Sequence, residues 1–224
     1  VRASHIEQHH LVMHFDVGLK QNDHWLKVKL NHPGRHNVLN ALAAIAVAQV
    51  LGVNKEAIQS GFEKFSGIDR RFQINGQLDM GGGDVMFVDD YAHHPREIAA
   101  TVAAAREGWP ERRLVVVFQP HRYTRTHDLL DDFSAVLSDL PQLVVTEVYA
   151  AGEKPSSVSD GRALCRAIRA RGRNEPVFVK DLEQLPQVIN DILQANDLLL
   201  TLGAGSIGQM AVDLPQLIAK ARGL

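Results

Sequence analysis

The chain has 224 residues, 45% of them hydrophobic and 22% charged, with a formal net charge of −2. This composition fits an ordinary water-soluble globular fold and excludes a global electrostatic pull on nucleic acid. A single cysteine, Cys165, excludes an internal disulfide framework and fits a reducing, cytoplasmic compartment.

No apolar run approaches the ~18 residues of a membrane-spanning helix. The first ten residues, VRASHIEQHH, lack a charged-then-apolar signal pattern. They also lack an initiator Met and begin within strand-like sequence, so a fragment of a longer protein is expected.

Short apolar alternations at 9–17 and 25–30 predict a hairpin or small antiparallel sheet, parted by Gly18 and a polar run from Gln21 to His24. A turn with two breakers, Pro33 and Gly34, precedes an Ala-rich helix over 38–51 and a second helix over 55–65. Asn37 and Asn40 stand three apart, on one face of the first helix. Their amides suit the edge of an adenine ring, and Asn37 equally suits a helix cap.

From residue 69 the pattern changes. Two strands, 72–78 and 85–90, flank a Gly-rich turn, and strand and helix then alternate. Strands are predicted at 114–118, 143–147, 176–180 and 198–202, and helices at 96–107, 127–139, 160–171, 182–194 and 207–221. Continuous apolar strands in βαβα order imply a doubly wound parallel sheet covered on both faces. The domain boundary falls at 66–69.

Three strand ends carry chemistry. The stretch VMFVDDYAHHPRE, 85–97, leaves a buried strand through Asp89, Asp90, Tyr91, His93 and His94. Ligands in open α/β sheets sit beyond such carboxyl ends. After the strand at 114–118 come Arg122 and Arg125 at a helix start, where cations oppose the dipole, so an anion is expected. After the last strand, Gly203, Gly205 and Gly208 form G-x-G-x-x-G, but no βαβ unit follows, which excludes a dinucleotide site. A close approach of backbone N–H groups to an anion is still expected there. Arg70 and Arg71 at the boundary either are solvated or reach a phosphate.

The histidines offer no zinc set by spacing. His10 and His14 would share a strand face, but with His5 and His9 they supply no third ligand of the right kind. Cys165, in a helix among Leu164, Ala167 and Ile168, reads as a buried structural residue.

The segments GRHNVLN (34–40), GIDRRF (67–72), DDYAHHP (89–95) and FQPHRYTR (118–125), in this order, resemble the Mur ligase family over essentially the whole chain. The resemblance implies that 1–68 is the C-terminal part of a central ATP-binding domain and 69–224 a C-terminal Rossmann-like domain. It implies ATP and Mg2+ as cofactors, with the phosphate loop G-x-x-G-K-S/T and most metal ligands outside this chain. The N-terminal sugar-binding domain and the rest of the central domain would be its partners.

The implied reaction joins L-alanine to UDP-N-acetylmuramate through an acyl phosphate, in peptidoglycan precursor synthesis. The QPHRYTR stretch favours the alanine-adding branch over the branch that adds a murein tripeptide. These 224 residues alone are expected to be inactive, as a nucleotide- or amino-acid-binding module would be. By resemblance Asn37 and Asn40 meet the adenine edge, Asp90 the ribose and Arg71 the ATP phosphates. Tyr91, His93, Arg122 and Arg125 line the amino-acid pocket, beside the 203–208 turn. Arg71 and His93 are the expected catalytic residues.

Overall fold

The computed structural model describes residues 1–20 and 22–223, so Gln21, expected in the first polar break, lies outside the described residues. The chain forms two compact units, Val1–Asp69 with Ala100–Pro110, and Arg70–Ala99 with Glu111–Leu224.

The first unit holds an antiparallel sheet of β1 (Arg2–His9), β2 (Val12–Leu19) and β3 (Asn22–Leu30), in that order. β1 was not expected as a full strand. Its sequence, RASHIEQH, is half exposed and half partly buried, with no regular apolar alternation, so its pairing with β2 reveals it. His10 sits in the turn after β1, where its ring lies 5.7 Å from Trp109. It therefore does not share a strand face with His14, whose ring meets His9 instead, at 5.8 Å.

On the inner face, Met13, Phe15 and Val17 of β2 and Leu26, Val28 and Leu30 of β3 alternate inward. They pack on Val38, Ala41 and Ile45 of α1 (Arg35–Val50) and on Ile58 of α2 (Lys55–Lys64). α1 begins three residues earlier than expected. Gly34, with φ of 97°, is its N-cap, and Asn37 lies within the first turn. α2 is capped by Asn54, whose side chain accepts from Ala57 N–H at 2.8 Å. α1 also exposes Leu39, Val47 and Val50.

The second unit is a six-stranded sheet: β4 (Gln73–Asp79), β5 (Asp84–Asp90), β6 (Arg113–Phe118), β7 (Gln142–Thr146), β8 (Val177–Val179) and β9 (Asp197–Leu202), in the order β4-β5-β9-β6-β7-β8. Only β4 runs antiparallel. The mostly parallel, doubly wound sheet matches the expectation from its continuous apolar strands.

Val85, Phe87, Val115, Val117 and Leu199 face one side and pack on α7 (Leu185–Ile192) and α8 (Ile207–Arg222) through Leu185, Ile189, Leu214 and Ile218. Strand alternation turns Phe118 to the other side, where its ring lies 5.5 Å from Phe133 of α5 (Leu130–Ser138). α3 (Pro95–Gly108) follows β5, with Pro95 at the first helical position, where its missing N–H costs nothing. α6 (Gly161–Ala170) precedes β8 and buries Cys165 completely. Burial pushes that thiol up to about 11.

Two predicted helices are divided. The region 127–139 contains α4 (Tyr123–Asp128) and α5, broken at Leu129 with φ of −114°. The region 182–194 opens as a short 3-10 turn, Leu182–Gln184, before α7. Among the described residues, no helix is long and apolar enough to cross a membrane.

Candidate functional site

β9 lies between β5 and β6, so consecutive strands of the chain are split apart at their carboxyl ends. That is the switch point at which doubly wound sheets bind ligands. The loops leaving β5, β6, β7 and β9 converge there.

After β5, Tyr91 and His93 stand with their rings 5.3 Å apart, edge to face. His93 Nδ1 lies 2.9 Å from the Tyr91 carbonyl oxygen. A ring nitrogen facing a carbonyl must donate, so the His93 lone pair is on Nε2. Glu97, in the first turn of α3, accepts from the backbone N–H of His93 at 3.0 Å and of His94 at 3.1 Å. This is the reach-back arm of a capping box. Burial opposes the Glu97 charge, but these N–H donors, the His93 ring and Arg71 outweigh it and hold the carboxyl below its usual range.

After β6, the backbone is zipped to the loop after β7. Arg122 N–H donates to Tyr149 O at 2.9 Å and Tyr149 N–H to Pro120 O at 2.8 Å. The zipper sets the His121 ring on Tyr149 at 5.4 Å and beside His93 at 5.8 Å. Tyr91, His93, His121 and Tyr149 thus form one row of rings. Arg125 donates to the His121 carbonyl and faces its Nδ1, both at 3.3 Å. Burial first, then the charges of Arg125, His93 and Arg122, push the His121 pKa down, so the ring is neutral at neutral pH.

Arg122 is the N-cap of α4, at φ of 72°. A bulky residue held there marks a position over-determined by its surroundings. The chain's own Glu153 lies at this helix start. It accepts from Thr124 N–H at 3.0 Å and Thr124 Oγ1 at 2.6 Å, and lies 4.0 Å from Arg122. Those bonds from Thr124 hold its carboxyl below the usual range.

In the glycine turn after β9, three backbone donors at its ends serve the protein. Ile207 N–H donates to Gln119 Oε1 at 3.0 Å, Gly203 N–H to Asp90 O and Gly208 N–H to Gly205 O. The glycines are needed for room: a Cβ on Gly205 would lie 2.5 Å from Gln119 Oε1, and one on Gly208 2.3 Å from Arg70 Cζ.

Arg70 is a partly buried strut. Its Nε donates to Asp89 Oδ2 at 2.8 Å and its Nη2 to Gly203 O at 2.5 Å. Asp89, 2% exposed, also faces the Thr201 hydroxyl at 2.9 Å. Burial pushes its pKa up, against the pull of Arg70 and Thr201. Arg71 is freer, 4.0 Å from Glu97 and 5.9 Å from the Tyr91 ring centre. Asp90 is 4% exposed and accepts from Phe72 N–H at 2.9 Å and Ala92 N–H at 2.8 Å. Burial lifts its pKa to about 6, although both N–H donors and Arg71 oppose the rise. Its two oxygens pin the turn after β5, and a ligand would have only their remaining lone pairs.

In the first unit, Asn37 and Asn40 meet as their spacing implies. Asn40 Nδ2 donates to Asn37 Oδ1 at 3.2 Å, and Asn37 Nδ2 to Pro33 O at 2.7 Å. Both line a cavity of about 430 Å³ with apolar walls that include Ala41, Ala44, Phe62 and Phe65. An apolar pocket with two amides in its lining suits a heteroaromatic ring.

Within the second unit the structure therefore brings together Tyr91, His93, Arg122 and Arg125, with Arg71 near Tyr91. Sequence reading missed His121, Tyr149, Glu97 and Glu153 as parts of this site. His121 was legible from its place between strand β6 and Arg122. Glu97 was legible too, from its capping-box spacing to His93 and His94, whereas Tyr149 and Glu153 depend on contacts distant along the chain.

A doubly wound α/β unit with guanidinium groups and a row of rings at its switch point has the chemistry that suits a carboxylate or phosphate. A family model described as Mur ligase, glutamate ligase domain, matches residues 70–205. A UDP-N-acetylmuramate–L-alanine ligase of Methylococcus capsulatus is 52% identical over 216 residues, which is 96% of this chain and 46% of that protein. The crystal structure of the UDP-N-acetylmuramate–alanine ligase of Thermotoga maritima matches with a TM-score of 0.80 at 30% identity, over 98% of this chain and 46% of that one. A murein peptide ligase of Psychrobacter arcticus shares the fold, with a TM-score of 0.65 at 22% identity over 96% of this chain and 43% of that one. The chain belongs to the Mur ligase family and spans about half the length of the relatives it matches.

Proposed function

We propose that this chain is the nucleotide-edge and amino-acid end of a cytoplasmic, ATP-dependent ligase that joins L-alanine to UDP-N-acetylmuramate in peptidoglycan precursor synthesis. The observation that carries the reading is the Tyr91–His93–His121 row beside Arg122 and Arg125. In this reading residues 1–68 close a central ATP-binding domain, and 69–224 form the C-terminal domain. The missing parts of both the ligase and its central domain are its partners.

Arg122 and Arg125 hold the alanine carboxylate by charge-assisted hydrogen bonds. His121, kept neutral, adds no repulsion toward the ammonium. His93, with its lone pair on Nε2, takes the ammonium proton, so that the amine can attack the acyl phosphate and release phosphate. Tyr91 walls the pocket on the side of Arg71. Asn37 and Asn40 read the adenine edge, Arg71 meets the ATP phosphates, and Asp90 offers its remaining lone pairs to the ribose. Catalysis then rests on positioning and on charge placed where it develops.

The family implies Mg2+, which would neutralise phosphate charge. The site's carboxylates do not fit it: Asp89 and Asp90 are committed to Arg70, Thr201 and backbone N–H groups, and Glu97 to two N–H groups.

The test is a titration of the chain with L-alanine, followed by NMR of the imidazole and guanidinium signals. Saturable shifts at His93, His121 and Arg125, weaker with D-alanine, are expected. Absence of shifts at these groups, or tighter binding of a murein tripeptide, would overturn the reading.

A further inference from the structure

On the outer face of the three-stranded sheet, opposite α1 and α2, three side chains from three strands converge. His5 of β1 and His24 of β3 each place Nδ1 3.2 Å from the same oxygen, Oδ2 of Asp16 on β2. The three donor atoms all lie within 4.8 Å of one another. Asp16 belongs to this outer face because its neighbours Phe15 and Val17 point into the core.

Both flanking strands depart from regular pairing to achieve this. In β1 the register breaks between Ser4 and Glu7, and His5 takes φ of 49°. Strict alternation from Ser4, the partner of Asp16, would have turned His5 to the inner face. The bulge returns it to Asp16. In β3 the register shifts opposite the interval Val17 to Leu19, which is where His24 sits. Two irregularities thus aim two imidazoles at one carboxylate.

We propose that His5, Asp16 and His24 form a binding site for a late first-row divalent cation, of which Zn2+ is the type. Two metal–donor bonds of ~2.0–2.1 Å at a tetrahedral angle put their donors roughly 3.3 Å apart. The observed separations of 3.2 Å need little adjustment. Two imidazoles and a carboxylate suit such an ion better than Mg2+ or Ca2+, which prefer oxygen donors. The histidine side chains are 68% and 63% exposed, which leaves the remaining coordination positions to water. The nearby Arg2 is paired with Asp23, which offsets its charge beside the site. The cation would clamp all three strands at their most irregular point.

The test uses the metal-free 224-residue chain titrated with Zn2+, read by imidazole-selective NMR and by thermal unfolding. His5 and His24 ring signals should move together and saturate at one equivalent, with the unfolding temperature rising. Removing an outer partner of a ligand typically weakens a site ~10–100-fold, so loss of a ligand should cost at least about 10-fold. Asp16→Asn, His24→Gln and His5→Asn should each do so; Asn tolerates the left-handed backbone at position 5. His14→Gln, which removes the other histidine pair of this sheet, should leave binding unchanged. Unmoved His5 and His24 rings at saturating Zn2+, or wild-type affinity in a folded Asp16→Asn chain, would overturn the proposal.

Discussion

Gly208→Ala pits two effects of opposite sign against each other. Gly208 is the second residue of α8, so helix propensity alone favours alanine there by up to about 1 kcal/mol. The new Cβ, however, would lie 2.3 Å from Arg70 Cζ and 2.5 Å from its Nε. The neighbour is a side chain and can swing away, so the steric cost itself is small. The cost lies in what Arg70 would leave behind: the Asp89 carboxylate, 2% exposed, and Gly203 O. Breaking a buried ion pair costs about 3–5 kcal/mol. Against the propensity gain, a net loss of roughly 2–4 kcal/mol is expected.

Urea unfolding should show it as a lower midpoint with an unchanged slope. In an Arg70→Met background the same substitution should be neutral or stabilising, because the group it displaces is gone. A Gly208→Ala chain as stable as wild type, or the same loss in both backgrounds, would falsify the reasoning.

Arg122→Ala and Arg125→Ala should each weaken L-alanine binding by ~1.5–3 kcal/mol, the worth of a charged hydrogen bond. Arg122, half exposed, should sit at the lower end, and calorimetry that shows unchanged affinity removes either residue from the pocket. Asp90 should titrate with a midpoint near 6 in a carbon-detected NMR titration, and a midpoint near 4 would contradict its burial. Its folded value lies above the unfolded 3.8, so the folded state takes the proton first. The stability Asp90 lends is present at low pH and lost as pH rises through about 6; Asp89 acts in the same direction. Cys165 should resist iodoacetamide at pH 8 in the folded chain and react at once in urea, whereas rapid labelling of native protein would show that the thiol is not sealed.

The doubly wound unit was legible because each parallel strand is a continuous apolar run, a pattern set by burial on both faces. The chemistry of β5 and β6 was legible for the same reason: a run such as VVVF ending in QPHR leaves few places for the polar residues except the sheet's edge. What escaped was non-local. β1 carries only Ala3 and Ile6 toward the core, too few to mark it, and its partner identifies it. Glu153 acts on a helix 29 positions earlier, so its occupation of the α4 N-terminus has no local signature. The glycine turn does not show its own reason in the sequence, because glycine admits both close anions and close side chains, and here Gln119, Tyr149 and Arg70 lie close to it. The His5–Asp16–His24 cluster depends on two bulges, which a period-2 reading excludes by construction.

Four arginines surround the switch point, and their counter-charges separate them into two kinds. Arg70 meets Asp89 at 2.8 Å, the length of a charge-assisted hydrogen bond, and is held by a carbonyl as well. Its charge is consumed inside the protein. Arg71 and Arg122 lie 4.0 Å from Glu97 and Glu153, too far for a hydrogen bond, because those carboxylates are turned toward backbone N–H groups and the Thr124 hydroxyl. Arg125 spends one nitrogen on His121 and keeps the rest of its fork. The acids therefore moderate the local positive potential without capping the guanidinium groups. That arrangement keeps a cluster of cations stable when no ligand is bound, and still leaves three of them able to form the short, paired hydrogen bonds that a carboxylate or phosphate requires.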